Sequence, residues 1–208
     1  MKIEIIKSGQ LETNSTIISE HGKCAIFDPD GDIAMWREIL NSRGLQPIGI
    51  YLTHGHFDHV GAVADLCSEY NIKWYMNEND LPLIKQNNMF GFFFGASRVK
   101  TPPKELFVPL SKNMEILPGL NAEVINTPGH TAGGVCFYFT DLNLLISGDT
   151  LFADTVGRTD LPFASYKDLM QSIERLRDMN FPPNTHVIPG HGRDSNIANI
   201  TIENQYFQ

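Results

Sequence analysis

The sequence predicts an α+β fold in which β-sheets are covered on their outer faces by helices. Short β-type runs outnumber amphipathic helical stretches, and each half of the chain passes from strands into a helix. No linker or composition shift divides residues 1–208, so they read as one domain.

The elements follow in order. KIEII (2–6), STIIS (15–19) and CAIFD (24–28) are β-type runs, with the turn EHGK between the last two placing His21 in solvent. DIAMWREILNSRG sets Ile33, Trp36, Ile39 and Leu40 at helical spacing and stops at Gly44. PIGIYLT (47–53) is a buried strand, and the helix after it presents Val60, Val63, Ala64 and Leu66 on one face. IKWYM (72–76) is a short strand. Residues 87–110 fit neither period and read as a long loop bearing Phe90, Phe92, Phe93 and Phe94. Such a loop suits a lid over a site or a homo-oligomer contact.

In the second half NAEVINT (121–127), GVCFYFT (134–140), LNLLISG (142–148) and NTHVIPG (184–190) are strands. SYKDLMQSIERLRDM (165–179) is the clearest helix, opened by Ser165 with Asp168 in a capping-box arrangement. The closing ENQYFQ resembles a cleavable-tag remnant with one residue changed, yet reads as native.

Composition narrows the function. Hydrophobic content of 42% and charged content of 19% belong to a folded protein. With 16 Lys plus Arg against 24 Asp plus Glu, the net charge of −8 argues against nucleic acid or an anionic membrane as partner. The N-terminus lacks a signal peptide's apolar core, and no run approaches the ~18 apolar residues of a membrane span. Cys24, Cys67 and Cys136 are scattered in apolar surroundings and read as buried thiols of a cytoplasmic protein.

The chemistry gathers just past the strand ends. After PIGIYL comes THGHFDH, with His54, His56, Asp58 and His59; after AEVINT comes PGHTAGG, with His130. LNLLISG is followed by Asp149, and THVIP by GHG with His191. Imidazole and carboxylate are the donors a borderline-soft zinc accepts where no thiolate is offered. Seven such groups exceed one catalytic zinc's need for three and suit two ions about 3.5–4 Å apart sharing a carboxylate. His186 lies inside its strand and suits packing or outer support instead.

HGHFDH, TPGHTAGG, SGDTLF and IPGHG, in this order, resemble the motifs of the metallo-β-lactamase superfamily over nearly the whole chain. The resemblance implies a four-layer αβ/βα sandwich with two central mixed sheets and the metals between their edges. It implies that His54, His56 and His130 hold a first ion. Asp58, His59 and His191 would hold a second, and Asp149 would bridge them. The ions would be two zinc per subunit, with iron or manganese tolerated. Asp28 in IFDPD resembles the aspartate of the family's DPG turn, supporting the ligand histidines, with Asp30 a departure from it. Asn14 resembles the asparagine of the first hairpin.

Within the superfamily, GDTLFADTVGRTDLP is similar to the short, single-domain glyoxalase II-like hydrolases. This implies a small-molecule thioester substrate, a metal-bridging hydroxide as nucleophile and Asp58 as the residue that orients or deprotonates it. Arg158 resembles the basic residue near which glyoxalase II binds glutathione, and its other role is a salt bridge to Asp154 or Asp160. Asp160 stands where that enzyme has a glutathione-contacting tyrosine, and the helical C-terminal domain is missing. The alternatives are an iron-dependent persulfide dioxygenase or a hydrolase of another ester or lactone. The lack of a signal peptide argues against a β-lactamase.

Overall fold

β1 (Lys2–Ser8), β2 (Thr13–Glu20) and β3 (Lys23–Phe27) form an antiparallel meander. β4 (Gln46–Tyr51), β5 (Trp74–Met76) and β6 (Phe107–Pro109) extend it in parallel, giving the order β1-β2-β3-β4-β5-β6. The crossovers carry α1 (Ile33–Arg43), α2 (Phe57–Val60), α3 (Val63–Tyr70) and α4 (Leu81–Phe93). The second sheet holds antiparallel β7 (Asn113–Leu117), β8 (Leu120–Asn126), β9 (Val135–Phe139) and β10 (Leu144–Gly148). Through α5 (Tyr166–Asp178), β10 gains a parallel neighbour in β11 (His186–Pro189), with β12 (Ser195–Asn196) at the edge and α6 (Ile197–Glu203) after it. The computed structural model describes residues 1–93 and 99–208, with 88–93 described through the backbone alone.

Alternation along the strands separates three cores. On β3, Ala25 and Phe27 face the second sheet, where Phe27 meets Phe137 with ring centroids 5.2 Å apart. Cys24 and Ile26 point the other way, onto Trp36 and Leu40 of α1 and Leu66 of α3. Leu144 and Ile146 likewise join the inter-sheet core, while Leu145 packs with Leu169, Ile173 and Leu176 of α5. Period-two strands buried on both faces thus produce the predicted helix–sheet–sheet–helix layering.

Local signals act as read. Asp32 caps α1 by accepting from the Met35 N–H at 2.8 Å, and Gly44 ends it in the left-handed region at φ 61°. Ser165 accepts from the Asp168 N–H at 3.2 Å. Two expectations need correction. The single helix read through Val60–Leu66 is two, α2 and α3, with a break at Gly61–Ala62 where the Ala62 N–H donates to the Pro29 carbonyl at 3.0 Å. The stretch from 87 to 93, read as loop, is the last part of α4, and residues 107–109 form an edge strand. Consecutive apolar residues with an embedded glycine leave α4 no one-sided stripe, so periodicity could not announce it. The expectation that Phe90–Phe94 cover the cleft or a subunit contact lies outside the described residues.

The C-terminal segment is packed into the fold. Buried Asn204 donates to the carbonyls of Phe152 (3.1 Å) and Thr155 (2.8 Å), and Phe207 joins the α5 core.

Candidate metal centre

The C-terminal ends of β3 and β4 in one sheet meet those of β10 and β11 in the other. Two cross-sheet hydrogen bonds hold the junction: the Val135 N–H to the Thr53 carbonyl at 2.9 Å, and the Asn14 N–H to the Gly190 carbonyl at 2.7 Å. The approach is close enough to require glycine. A Cβ on Gly148, itself at φ +50°, would lie 2.4 Å from Thr53 Oγ1, and one on Gly190 would lie 2.0 Å from Asp149 Oδ1.

All seven predicted groups converge at this junction. Three sets have ligand atoms mutually within 4.8 Å: His54, His56 and His130; His54, His59 and Asp149; and Asp58, His59 and His191. His56 Nδ1 faces His130 Nε2 at 3.0 Å, and His191 Nε2 lies 3.1 Å from Asp58 Oδ2. Asp149 stands between, with Oδ2 3.4 Å from His130 Nε2 and Oδ1 3.6 Å from His59 Nε2. His54 Nε2 and Asp149 Oδ1 are buried with no hydrogen-bond partner. Orphaned acceptors inside a cage of nitrogen and oxygen donors are what a dication would satisfy, so the residues fit a pair of metal ions.

Electrostatics divide the cage. Burial, reinforced by neighbouring imidazoles, holds His54 well below the usual histidine range and His56 down to about 3, leaving both neutral. Burial also disfavours a charged His59, but Asp28, Asp58 and Asp149 outweigh it and raise that ring to about 10. His191 is raised against its burial by the hydrogen bond to Asp58 and the charge of Asp149. Burial works to raise Asp58, yet His59 and His191 hold it well below the carboxylate range.

A layer of partners aims the rings. His130 Nδ1 hydrogen-bonds the Arg158 carbonyl at 2.9 Å, and His191 Nδ1 the Leu11 carbonyl at 2.9 Å, so both Nε2 atoms point inward. Asp28 accepts from the Thr53 N–H (2.8 Å) and hydroxyl (2.6 Å), and its Oδ2 lies 3.1 Å from His59 Nδ1. This is the support that the family resemblance implied. Asn14 donates to the carbonyls of Pro189 and Gly192 and so braces the His191 loop. Asp30, the departure from the DPG turn, has its carboxylate between Gly9 and Gly61, where added Cβ atoms would collide with it. Burial raises it to about 6 despite the hydrogen bond from Gly31.

Two supports have no signal in the local sequence. Thr13 Oγ1 donates to the Asp58 carbonyl at 3.0 Å, and buried Asp80 bonds the loops around His54–His56 and His130. His186 is half-buried and its Nε2 lies 2.6 Å from Asp194 Oδ2, so its polar partner is a surface carboxylate and not a member of the cage. His21 is in solvent as expected. All three cysteines are free and buried, and burial pushes their thiols up to between about 11 and about 12.

The cage opens into a cavity of about 300 Å³ walled by His56, Asp58, His130, Asp149 and His191 with Leu11, Phe57, Leu161, Pro162 and Arg158. Arg158 is the one Lys or Arg on this wall among the described residues, and Asp160 occupies its fork through two 2.7 Å bonds. A larger cavity of about 750 Å³, near Lys112, Glu123 and Arg175, includes none of the cage residues.

Two facing mixed sheets with a two-ion cage at their strand ends define a metal-dependent hydrolase with a binuclear metal-binding site. The family model of the metallo-beta-lactamase superfamily matches residues 8–191, and the chain belongs to that superfamily. It is 32% identical to the hydroxyacylglutathione hydrolase GloC of Haemophilus influenzae, covering 99% of this chain and 98% of that one. The crystal structure of TTHA1623 in a di-iron-bound form is 34% identical, with a TM-score of 0.88 over 98% of this chain and 99% of the other. That of the B3 metallo-beta-lactamase BLEG-1 is 29% identical, with a TM-score of 0.90 over 100% of both chains. Among the described residues no helix is long and apolar enough to cross a membrane.

Proposed function

We propose that this chain is a cytoplasmic, single-domain thioester hydrolase of the hydroxyacylglutathione hydrolase type, working with two zinc ions. His54, His56 and His130 hold one ion, and Asp58, His59 and His191 the other. Asp149 lies between them. The observation that carries the two-ion reading is the placement of Asp149, whose two oxygens reach toward His130 on one side and His59 on the other. The likeness to GloC over the full chain supports the thioester, and the di-iron form of TTHA1623 makes iron the rival metal.

Bound ions supply Lewis acidity and acidify a water molecule. The chain's own residues do the rest. Asp58, ionised and on the cavity wall, orients the attacking water or accepts its proton at a carboxylate oxygen. Leu11, Phe57, Leu161 and Pro162 exclude bulk water and receive the acyl group. Arg158, on the rim, binds a substrate carboxylate once Asp160 gives way. A thiolate leaves without a strong acid because a free thiol titrates near ~8.5, which suits a site whose carboxylates both lie among the ligands.

Metal analysis of the purified chain and a substrate panel test this reading. The expected result is two ions per chain and turnover of S-lactoylglutathione or a simpler acyl thioester. Likeness to a B3 metallo-beta-lactamase makes a β-lactam the second reading. Preference for a β-lactam, lactone or phosphodiester would overturn the thioesterase. A single iron with oxygen uptake on glutathione persulfide would point to the dioxygenase instead.

A further inference from the structure

The Asp80 carboxylate is fully buried immediately before α4, and among the described residues its hydrogen-bond donors come from two other segments. Its Oδ2 accepts from the Gly55 N–H at 2.9 Å and the Thr131 hydroxyl at 2.7 Å, and its Oδ1 accepts from the Gly133 N–H at 2.5 Å. Gly55 separates His54 from His56, and Thr131 and Gly133 follow His130. One carboxylate therefore ties together the two loops that bring the three imidazoles of the first set to one point. The fit leaves no slack. A Cβ on Gly133 would lie 2.7 Å from Asp80 Cγ, and one on Gly55 would lie 3.0 Å from Asp80 Cβ.

Asp28 faces His59 of the other set in a comparable way, while it also accepts from Thr53, two residues past β4, whose hydroxyl lies 3.1 Å from His54 Nδ1. Each ligand set thus has a buried carboxylate behind it. A buried carboxylate costs desolvation, which raises Asp80 above its usual range even with three donors. A purely structural loop junction could be made with less costly neutral groups.

We infer that Asp80 is a positioning residue that fixes the spacing of the His54–His56 loop against the His130 loop, and so selectively sets the metal affinity of the first set. The inference rests on the proposed assignment of those histidines to one ion. Zinc titration of the metal-free chain under chelator competition tests it, with ring-proton NMR of His130 and His191 reporting each set separately. Asp80→Asn keeps the volume but turns a donor toward Gly55, Thr131 or Gly133. It is expected to weaken the first set by roughly 10- to 100-fold and leave the second unchanged. Thr131→Val removes one hydroxyl donor and should give a smaller loss in the same set, restored by Thr131→Ser. If Asp80→Asn does not fold, the Thr131 pair decides. Wild-type affinity in folded Asp80→Asn, no change with Thr131→Val, or equal losses at both sets would overturn the inference. A wild-type chain in which His130 and His191 do not report two ions would instead overturn the ligand assignment.

Discussion

His54, His56 and His130 are three buried imidazoles without a carboxylate among them, whereas Asp58, His59 and His191 include one, and His191 is partly exposed. In the first set His54 and His56 are kept free of protons by burial and by neighbouring imidazoles. In the second, Asp28, Asp58 and Asp149 raise the imidazoles, so a metal there competes with protons as well as with solvent. One cage can thus contain a site poised for a metal and a site tuned by charge.

His56→Ala is the strongest way to break that asymmetry. It should lower zinc affinity at the first set by more than the roughly 100-fold that loss of an outer partner costs, and remove turnover. His191→Ala should release only the second ion. Elemental analysis after dialysis checks both, and loss of the same ion from both variants would refute the division. Asp58→Ala comes next, with an expected fall in turnover of roughly 10- to 100-fold and selective loosening of the second ion. Unchanged turnover in a folded, fully loaded variant would refute its role.

Acidity sharpens the comparison. His59, raised to about 10, carries a proton at neutral pH in the metal-free chain, which an incoming ion displaces, and His191 is shifted in the same direction by Asp58 and Asp149. Affinity at the second set should therefore fall as pH falls, by about tenfold per pH unit for each displaced proton. His54 and His56, both held neutral, have no proton to give up between about pH 6 and 8, so the first set should show the shallower slope. Calorimetric titrations at several pH values would show two slopes, and a common slope would contradict the electrostatic picture.

The smallest effect lies at the rim. Asp160→Asn frees Arg158 and should lower the KM for S-lactoylglutathione about two- to fivefold, whereas Arg158→Ala should raise it, both with kcat unchanged. A change in kcat alone would show that Arg158 acts on the reacting centre.

By itself the sequence determined most of the strands, the helices α1 and α5, the covering of sheets by helices and all seven residues that converge on the cage, but not the split of α2 from α3, the end of α4 or β6. Alternating strands and strand-end histidines and carboxylates are local features, and their spacing is visible without coordinates. Tertiary structure decided what depends on meeting across the chain. Asp80 stands in NEND, an unremarkable helix-start sequence, and matters only because Gly55 and Gly133 arrive from segments 25 and 53 residues away. Arg158 read as a substrate ligand, but only the folded loop shows its fork closed by Asp160. His186 has the residue type of a supporting histidine, and strand orientation alone sends it to Asp194 at the surface. The reason is common to all three: residue type fixes what a side chain can bind, while burial and the approach of distant backbone decide what it does bind.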